Sequence, residues 1–282
     1  MTNYQHYNWE ITAEHKLLDL KLKDTWAYRD LLWLLVRRDF VATYKQTILG
    51  PLWYLIQPVF TTVIYTLVFG GIAGISTEGL PGPLFYMAGI TMWNYFADCL
   101  NKTSTVFRDN AGIFGKVYFP RLIMPLSIII SNLVRFGIQL LLFLVFMAYY
   151  SFYGASIQPN IYMLLFPLLV LIMAGLGLGC GMIISSLTTK YRDLAFLVAF
   201  GMQLLMYGTT VIYPLSAAPE KYKWIVVANP MTGIIETFRY GFFGSGSFSW
   251  GMVGYSALFA IIVLAAGIIV FNRVEKNFID TV

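Results

Sequence analysis

Between residues 52 and 271 the chain alternates long apolar stretches with short polar connections. A helix that crosses the hydrocarbon slab of a bilayer needs roughly 20 apolar residues. Six stretches meet that requirement, near 52–75, 84–106, 122–153, 161–187, 194–214 and 251–271. The third exceeds a minimal span, which tilt accommodates. The second turns polar at Asn101, Lys102, Thr103 and Ser104, so its end is expected to project into water. Ahead of the first span, Leu32, Val36, Phe40, Tyr44 and Ile48 recur every four residues, while Arg38, Ala42 and Lys45 fall on another face. This spacing predicts an amphipathic helix from about 30 to 49. Lysine or arginine at the bilayer centre costs about 2.5 to 3.5 kcal/mol, so the helix is expected to lie in the interface, turning at Gly50-Pro51 into the first span.

The connection from Leu215 to Trp250 is too apolar, at Ile225–Ala228 and Met231–Phe243, for a solvated linker. Pro219 and Asn229-Pro230 supply breaks, and Gly241, Gly244 and Gly246 an exit, which predicts one or two short helices dipping back into the outer leaflet. The alternative is an amphipathic helix on the surface. The expected fold is therefore an all-α polytopic membrane protein with six transmembrane helices, an N-terminal interface helix and short re-entrant helices between spans five and six. Its parts are a cytoplasmic segment 1–50, a transmembrane domain 51–275 and a short tail 276–282.

Composition supports this class: 58% of the 282 residues are hydrophobic, 12% are charged, and mean hydropathy is +0.68. The net charge of +5 does not point to nucleic acid, because the basic residues flank apolar runs. Lys16, Lys21, Lys23, Arg29, Arg37, Arg38 and Lys45 precede span one; Lys102, Arg108, Lys116 and Arg121 follow span two; Lys190 and Arg192 follow span four; Arg273 and Lys276 close the chain. Connections 76–83 and 154–160 carry no lysine or arginine. Both termini are therefore predicted to be cytoplasmic. Residues 1–30 show no pattern of a cleavable signal peptide.

The candidate chemistry is mostly negative. Gly112-Ile-Phe-Gly-Lys-Val has the wrong spacing for a phosphate loop and lacks the metal-binding hydroxyl. His6 and His15 both precede the bundle, and Cys99 and Cys180 stand far apart inside apolar runs, so no metal site or disulfide framework is expected. No catalytic residue is predicted. Asp98, with Lys102 one turn on, and Arg135 fall within spans, where charge is costly. Each faces an aqueous path or an anionic head group, or else forms a structural pair or snorkels to the surface. Aromatics make up 17% of the chain, and Trp53, Tyr54, Phe60, Tyr65, Tyr86, Trp93, Tyr95 and Phe96 cluster in the first two spans. Two readings stay open for them: interface belts, or a weakly selective path for sugar rings. Gly175, Gly177, Gly179 and Gly181 form two interleaved Gly-x-x-x-Gly pairs, and Gly70 with Gly74 another, a spacing that permits close helix contact. The segment 107–121 sets apolar Ile113, Phe114, Val117, Tyr118 and Phe119 between Arg108, Asp109, Lys116 and Arg121, which suggests a partner surface. The alternative is a helix resting on head groups.

Several strings together resemble the permease subunit of ABC-2 exporters, in the branch that exports O-antigen or teichoic-acid polysaccharide. They are Arg38-Asp39-Phe-Val-Ala-Thr-Tyr-Lys-Gln-Thr-Ile-Leu-Gly-Pro-Leu-Trp53 through Gln57-Pro58, Lys190-Tyr191-Arg192-Asp193-Leu194, Ile212-Tyr213-Pro214, and Asn229-Pro230-Met-Thr-Gly-Ile-Ile-Glu236-Thr-Phe-Arg239. Gly208-Thr-Thr-Val departs from a serine-proline pair common in the family. The resemblance implies a homodimer in the bacterial cytoplasmic membrane, paired with two copies of a separate ATPase that binds ATP and magnesium. This chain would hold no cofactor. Residues 108–121 would carry a coupling helix, including Arg108, Asp109, Phe114, Lys116 and Tyr118, and Tyr191, Arg192 and Asp193 a second contact. The substrate would be an undecaprenyl-type lipid-linked polysaccharide, whose diphosphate Arg37, Arg38 and Lys45 would attract. Trp53, Tyr54, Tyr65, Trp93, Tyr95, Phe96 and Arg135 would line its path. Tyr213, Asn229, Pro230, Glu236 and Arg239 would belong to an outer gate. The competing readings are an ABC-2 exporter of a drug or lipid, a membrane-embedded glycolipid transferase and, further off, a proton-driven carrier. The transferase needs an acid/base or metal cluster that the chain does not offer.

Overall fold

The computed structural model describes residues 22–45, 47–114, 119–191 and 193–278, and every regular element among them is helical. A short α1 (Leu22–Ala27) leads into α2 (Arg29–Tyr44). Leu35 and Val36 are buried where α2 lies against α7 (Ile123–Phe152), with Leu32 and Phe40 half-buried beside them. The four-residue spacing thus marks the docked face. The helix stops at Tyr44, so Ile48 leaves that face and is exposed. Gly50 at φ +49° takes the left-handed turn that an L side chain resists, and Pro51 starts the next helical segment.

That segment runs from Gly50 to Ile72 through α3 (Trp53–Tyr65) and ends in a π-helical turn, Thr66–Ile72. Pro58 removes one rung of the helical ladder. Gly74, at φ +65°, closes the helix, with the Ile75 N–H donating to the Phe69 carbonyl. The Gly70–Gly74 spacing is therefore a helix end rather than a helix-contact motif.

Helix α4 (Gly82–Thr103) occupies the centre, against α3, α7, α8 (Phe166–Thr188), α9 (Leu194–Tyr207) and α11 (Pro230–Phe243). Its residues 84–93 are buried on all sides. A helix surrounded by protein need not be apolar towards lipid, so α4 tolerates Asn94, Asp98, Asn101 and Lys102. Short α5 (Val106–Asp109) and α6 (Ala111–Phe114) follow it, and α10 (Glu220–Ala228) precedes α11. The last helix, α12 (Trp250–Phe278), packs along α8.

The glycines of α8 divide between two neighbours. A Cβ on Gly177 or Gly181 would lie 2.6 Å from Cys99 Cβ or 2.5 Å from Thr103 Cβ, both on α4. A Cβ on Gly179 would lie 2.7 Å from the Leu264 backbone of α12, and one on Gly267 would lie 2.6 Å from the Gly179 carbonyl. The interleaved spacing thus joins three helices within one chain. Elsewhere the core is aromatic: Phe143 meets Phe238, Phe242 and Phe243 at 5.3–5.7 Å, and Phe136 stacks on Phe166.

Among the described residues four helices are long and apolar enough to cross a membrane: Gly50–Ile72, Ile123–Phe152, Ile161–Thr188 and Trp250–Val274. Helix α4 is 22 residues long but more polar, and α9 has 14 residues, about 21 Å at 1.5 Å per residue. The apolar run expected over 194–214 thus leaves helical geometry after Tyr207.

Candidate functional site

The bundle has two polar ends, and the sequence-derived candidates divide between them. One end, with α2, the start of α7 and the connections after α4 and α8, carries most of the basic residues and is termed here the basic end. The other carries residues 76–81, 154–160 and 208–250.

At this far end, residues 208–211 continue the apolar stretch of α9 without its backbone ladder, leaving carbonyls at the end of α9 and beyond it to be met by other donors. Side chains supply them. The Thr209 hydroxyl donates to the Met206 carbonyl at 2.6 Å, the Tyr213 hydroxyl to Tyr207 at 2.9 Å, and the Asn229 amide to Gly208 at 3.4 Å. Arg239 Nη1 donates to the Thr210 carbonyl at 2.6 Å, and Nη2 to those of Val211 and Phe85, at 3.0 and 3.2 Å. The guanidinium also lies over the Phe85 ring, 3.6 Å from its centroid, and its Nε has no hydrogen-bond acceptor among the described residues.

Both Arg239 and Glu236 are fully buried, one turn apart on α11, with Nη1 and Oε1 3.8 Å apart. Glu236 accepts from the Leu215 N–H at 3.3 Å and from the Ser247 N–H and hydroxyl at 3.1 and 3.2 Å. Asn229 caps α11 by accepting from the Met231 N–H, Pro230 takes the first helical position, and left-handed Gly244 ends the helix. The five far-end candidates, Tyr213, Asn229, Pro230, Glu236 and Arg239, therefore form one knot around a broken helix. Sequence reading missed Glu78, whose carboxylate accepts from Ser216 at 2.6 Å and Ser245 at 3.3 Å. It is the one non-glycine residue with positive φ among those described, at +55°. No motif marks it; a lone acid in a Gly/Pro-rich turn was the available signal.

At the basic end a cavity of about 400 Å³ opens between α2, α4, α5 and α7. Arg38 and Asp39 of α2 line it, together with Lys102, Asp109, Asn110 and Arg135. Arg38 pairs with Asp39 at 2.8 Å, and Arg108 with Asp109 at 3.0 Å. Arg135, 17% exposed, stands 4.0 Å from Asp98 and over the Tyr54 ring at 4.7 Å. Lys102 Nζ donates to the Asn132 side-chain carbonyl at 3.2 Å, and the amides of Asn94 and Gln139 meet at 3.4 Å. Spacings of three and four residues, 94–98–102 on α4 and 132–135–139 on α7, put these pairs on facing stripes.

The remaining candidates spread out. Arg37, Lys45 and Trp53 are exposed. Tyr65 is half-buried, its hydroxyl against Met206 Sδ at 3.8 Å. Trp93, Tyr95 and Phe96 are buried in the core, Trp93 against Phe96 and Tyr95 against Phe136. Tyr191 and Asp193 are exposed at the basic end, near which the Thr188 hydroxyl donates to the Ser104 carbonyl at 2.6 Å. Lys116, Tyr118 and Arg192 lie outside the described residues, and Phe114 is described by its backbone in α6 alone. No grouping of three or more metal-ligating side chains occurs among the described residues.

Membrane-length apolar helices around a more polar central helix define a multi-pass membrane protein. A profile described as ABC-2 type transporter matches residues 30–243, so the chain belongs to that family. Among its relatives, the O-antigen export system permease protein RfbA of Klebsiella pneumoniae is 26% identical over 265 residues, covering 93% of this chain and 99% of that protein. RfbA of Myxococcus xanthus is 28% identical over 222 residues, covering 77% and 82%. The polysialic acid transport protein KpsM of Escherichia coli is 23% identical over 246 residues, covering 85% and 91%.

Proposed function

We propose that this chain is the permease subunit of an ATP-driven exporter that moves a lipid-linked polysaccharide, of O-antigen or capsule type, across the bacterial cytoplasmic membrane. The observation that carries the reading is the alignment with an O-antigen export permease over nearly the whole of both chains.

In this reading α4 and α9 complete six spans, both termini are cytoplasmic, and the basic end faces the cytoplasm, in accord with the positive-inside bias. Two copies pair, and two separate ATPase subunits bind ATP and magnesium. They dock on the connection after α4, at Arg108, Asp109 and the following segment to Arg121, and on Tyr191 through Asp193. A polysaccharide presents many hydroxyls, each costing about 2 to 7 kcal/mol to desolvate without a partner, so its conduit must be wet. Closing of the ATPases would push the coupling segments and open that conduit. Helix α2 lies at the cytoplasmic interface, where Arg37, Arg38 and Lys45 draw in the carrier's diphosphate. The knot around Arg239 holds the outer end.

The test is deletion of the gene in its host, with surface glycan and intracellular lipid-linked glycan measured together. Surface glycan should vanish while the lipid-linked form accumulates, and the wild-type gene should restore both. Unchanged surface glycan in the deletion strain would sink the proposal.

A further inference from the structure

We propose that the cavity between α2, α4, α5 and α7 binds the phosphate or diphosphate head group of a membrane lipid, with Lys102 as the central contact. The identity of that lipid rests on the export reading above; the site itself rests on how charge is distributed around the cavity. Cations reach it from three helices: Arg38 from α2, Lys102 from α4 and Arg135 from α7. Its two carboxylates already have neighbours of their own. Asp39 is held by Arg38, and Asp109 by Arg108 and by the Thr105 hydroxyl at 2.6 Å. Asp98 stands with Arg135.

Lys102 differs from these. Its ammonium donates to a neutral amide oxygen, and no ion pair among the described residues includes it. Asp98, one turn away on α4, attracts it without an ion-pair contact and is shared with Arg135 at 4.0 Å, so two half-buried cations draw on one carboxylate, which is costly. A ligand carrying one or two negative charges removes that cost through charge-assisted hydrogen bonds. The cavity's volume, about 400 Å³, lies within the range of small-ligand sites. Lys102 sits in the last turn of α4, at the basic end, and Arg135 well inside α7, so an anion held between them bridges from the helix end towards membrane depth. A lipid head group does this while its tail stays in the bilayer, whereas a soluble anion does not. From Lys102 the stripe continues through Asp98 to the Asn94–Gln139 amides, about 12 Å along α4. These groups suit the hydroxyl-bearing part that follows the phosphate.

The experiment uses the purified full-length chain in phosphatidylcholine nanodiscs, titrated with farnesyl diphosphate, farnesol and inorganic diphosphate. Farnesyl diphosphate should bind saturably and farnesol should not. Lys102→Gln should weaken binding at least tenfold, and Lys102→Arg should stay within about threefold of wild type. Arg135→Gln and Arg38→Gln carry the same direction should Lys102→Gln fail to fold. Competition by phosphatidylglycerol supports the site and assigns it to bulk anionic lipid; lack of competition supports the site and assigns it to a diphosphate carrier. Equal affinity in wild type and a folded Lys102→Gln overturns the proposal. Inorganic diphosphate binding as tightly as farnesyl diphosphate overturns it too. The assay needs neither ATPase nor glycan, so it separates the two readings. Absent binding, in a chain whose deletion abolishes surface glycan, defeats this inference alone; binding in a chain whose deletion leaves surface glycan unchanged defeats the export reading alone.

Discussion

The far-end pair Glu236–Arg239 and the basic-end group Asp98, Lys102 and Arg135 are both charge inside an apolar bundle, yet they are built differently. Around Arg239 the protein supplies three carbonyls, an aromatic face and a carboxylate, and Glu236 receives three further donors. Around Lys102 there are one amide oxygen, the Asp98 carboxylate that it shares with Arg135, and an open cavity. Charge that is met on most sides by protein holds structure together, because a change there leaves further groups buried and unpartnered. Charge left facing a cavity is available to something that arrives.

The sharpest way to break that contrast is at Arg239. Arg239→Leu strands the Glu236 carboxylate and the carbonyls of Phe85, Thr210 and Val211, and should cost about 3 to 5 kcal/mol. Thermal unfolding of the detergent-solubilised chain measures it; a loss no greater than that of Arg135→Gln, expected on the order of 1 kcal/mol for a half-exposed pair at 4.0 Å, removes the distinction. Gly89→Ala comes next. Its Cβ would lie 2.9 Å from both Arg239 Nη2 and the Val211 carbonyl, so about 1 to 3 kcal/mol of overpacking is expected, visible as a lowered midpoint in the same assay. Glu78→Gln weakens the tie to Ser216 and Ser245 and should cost about 0.5 to 1.5 kcal/mol, with faster amide exchange confined to residues 76–81 and 215–217. Exchange unchanged there would show that Glu78 does not join the two turns. The smallest effect is Arg38→Gln. Its exposed pair with Asp39 contributes at most about 1 kcal/mol, and an unfolding midpoint within error of wild type is the expected result.

Much of the helical framework was legible because apolar run length and positive charge respond directly to the bilayer. The boundaries of α3, α7, α8 and α12 follow from that, and Asn229-Pro230 and Gly244 announce the ends of α11 as capping residues do. Two features were not readable in the same way. The stretch 194–214 is apolar throughout and reads as one helix. It breaks after Tyr207 because Arg239, Asn229 and Tyr213, from elsewhere in the chain, replace the backbone donors, a substitution visible only in three dimensions. Trp93, Tyr95 and Phe96 carry no mark that separates a pore lining from a core, and here they fill the core. The basic-end cluster was half legible: Asp98, Lys102 and Arg135 stand out as charge within apolar runs, but their convergence with Arg38 depends on how α2 docks on α7.

The glycine seam between α8 and α12 has a mechanical consequence. With Gly179 against Leu264 and Gly267 against the Gly179 carbonyl, the two backbones interlock, and neither helix can slip by a residue without bringing a side chain into main-chain atoms. They behave as a single rigid keel. Any rearrangement of this chain must leave that keel whole and take place in the elements hung from it, which makes the α8–α12 pair the frame against which displacement elsewhere is measured.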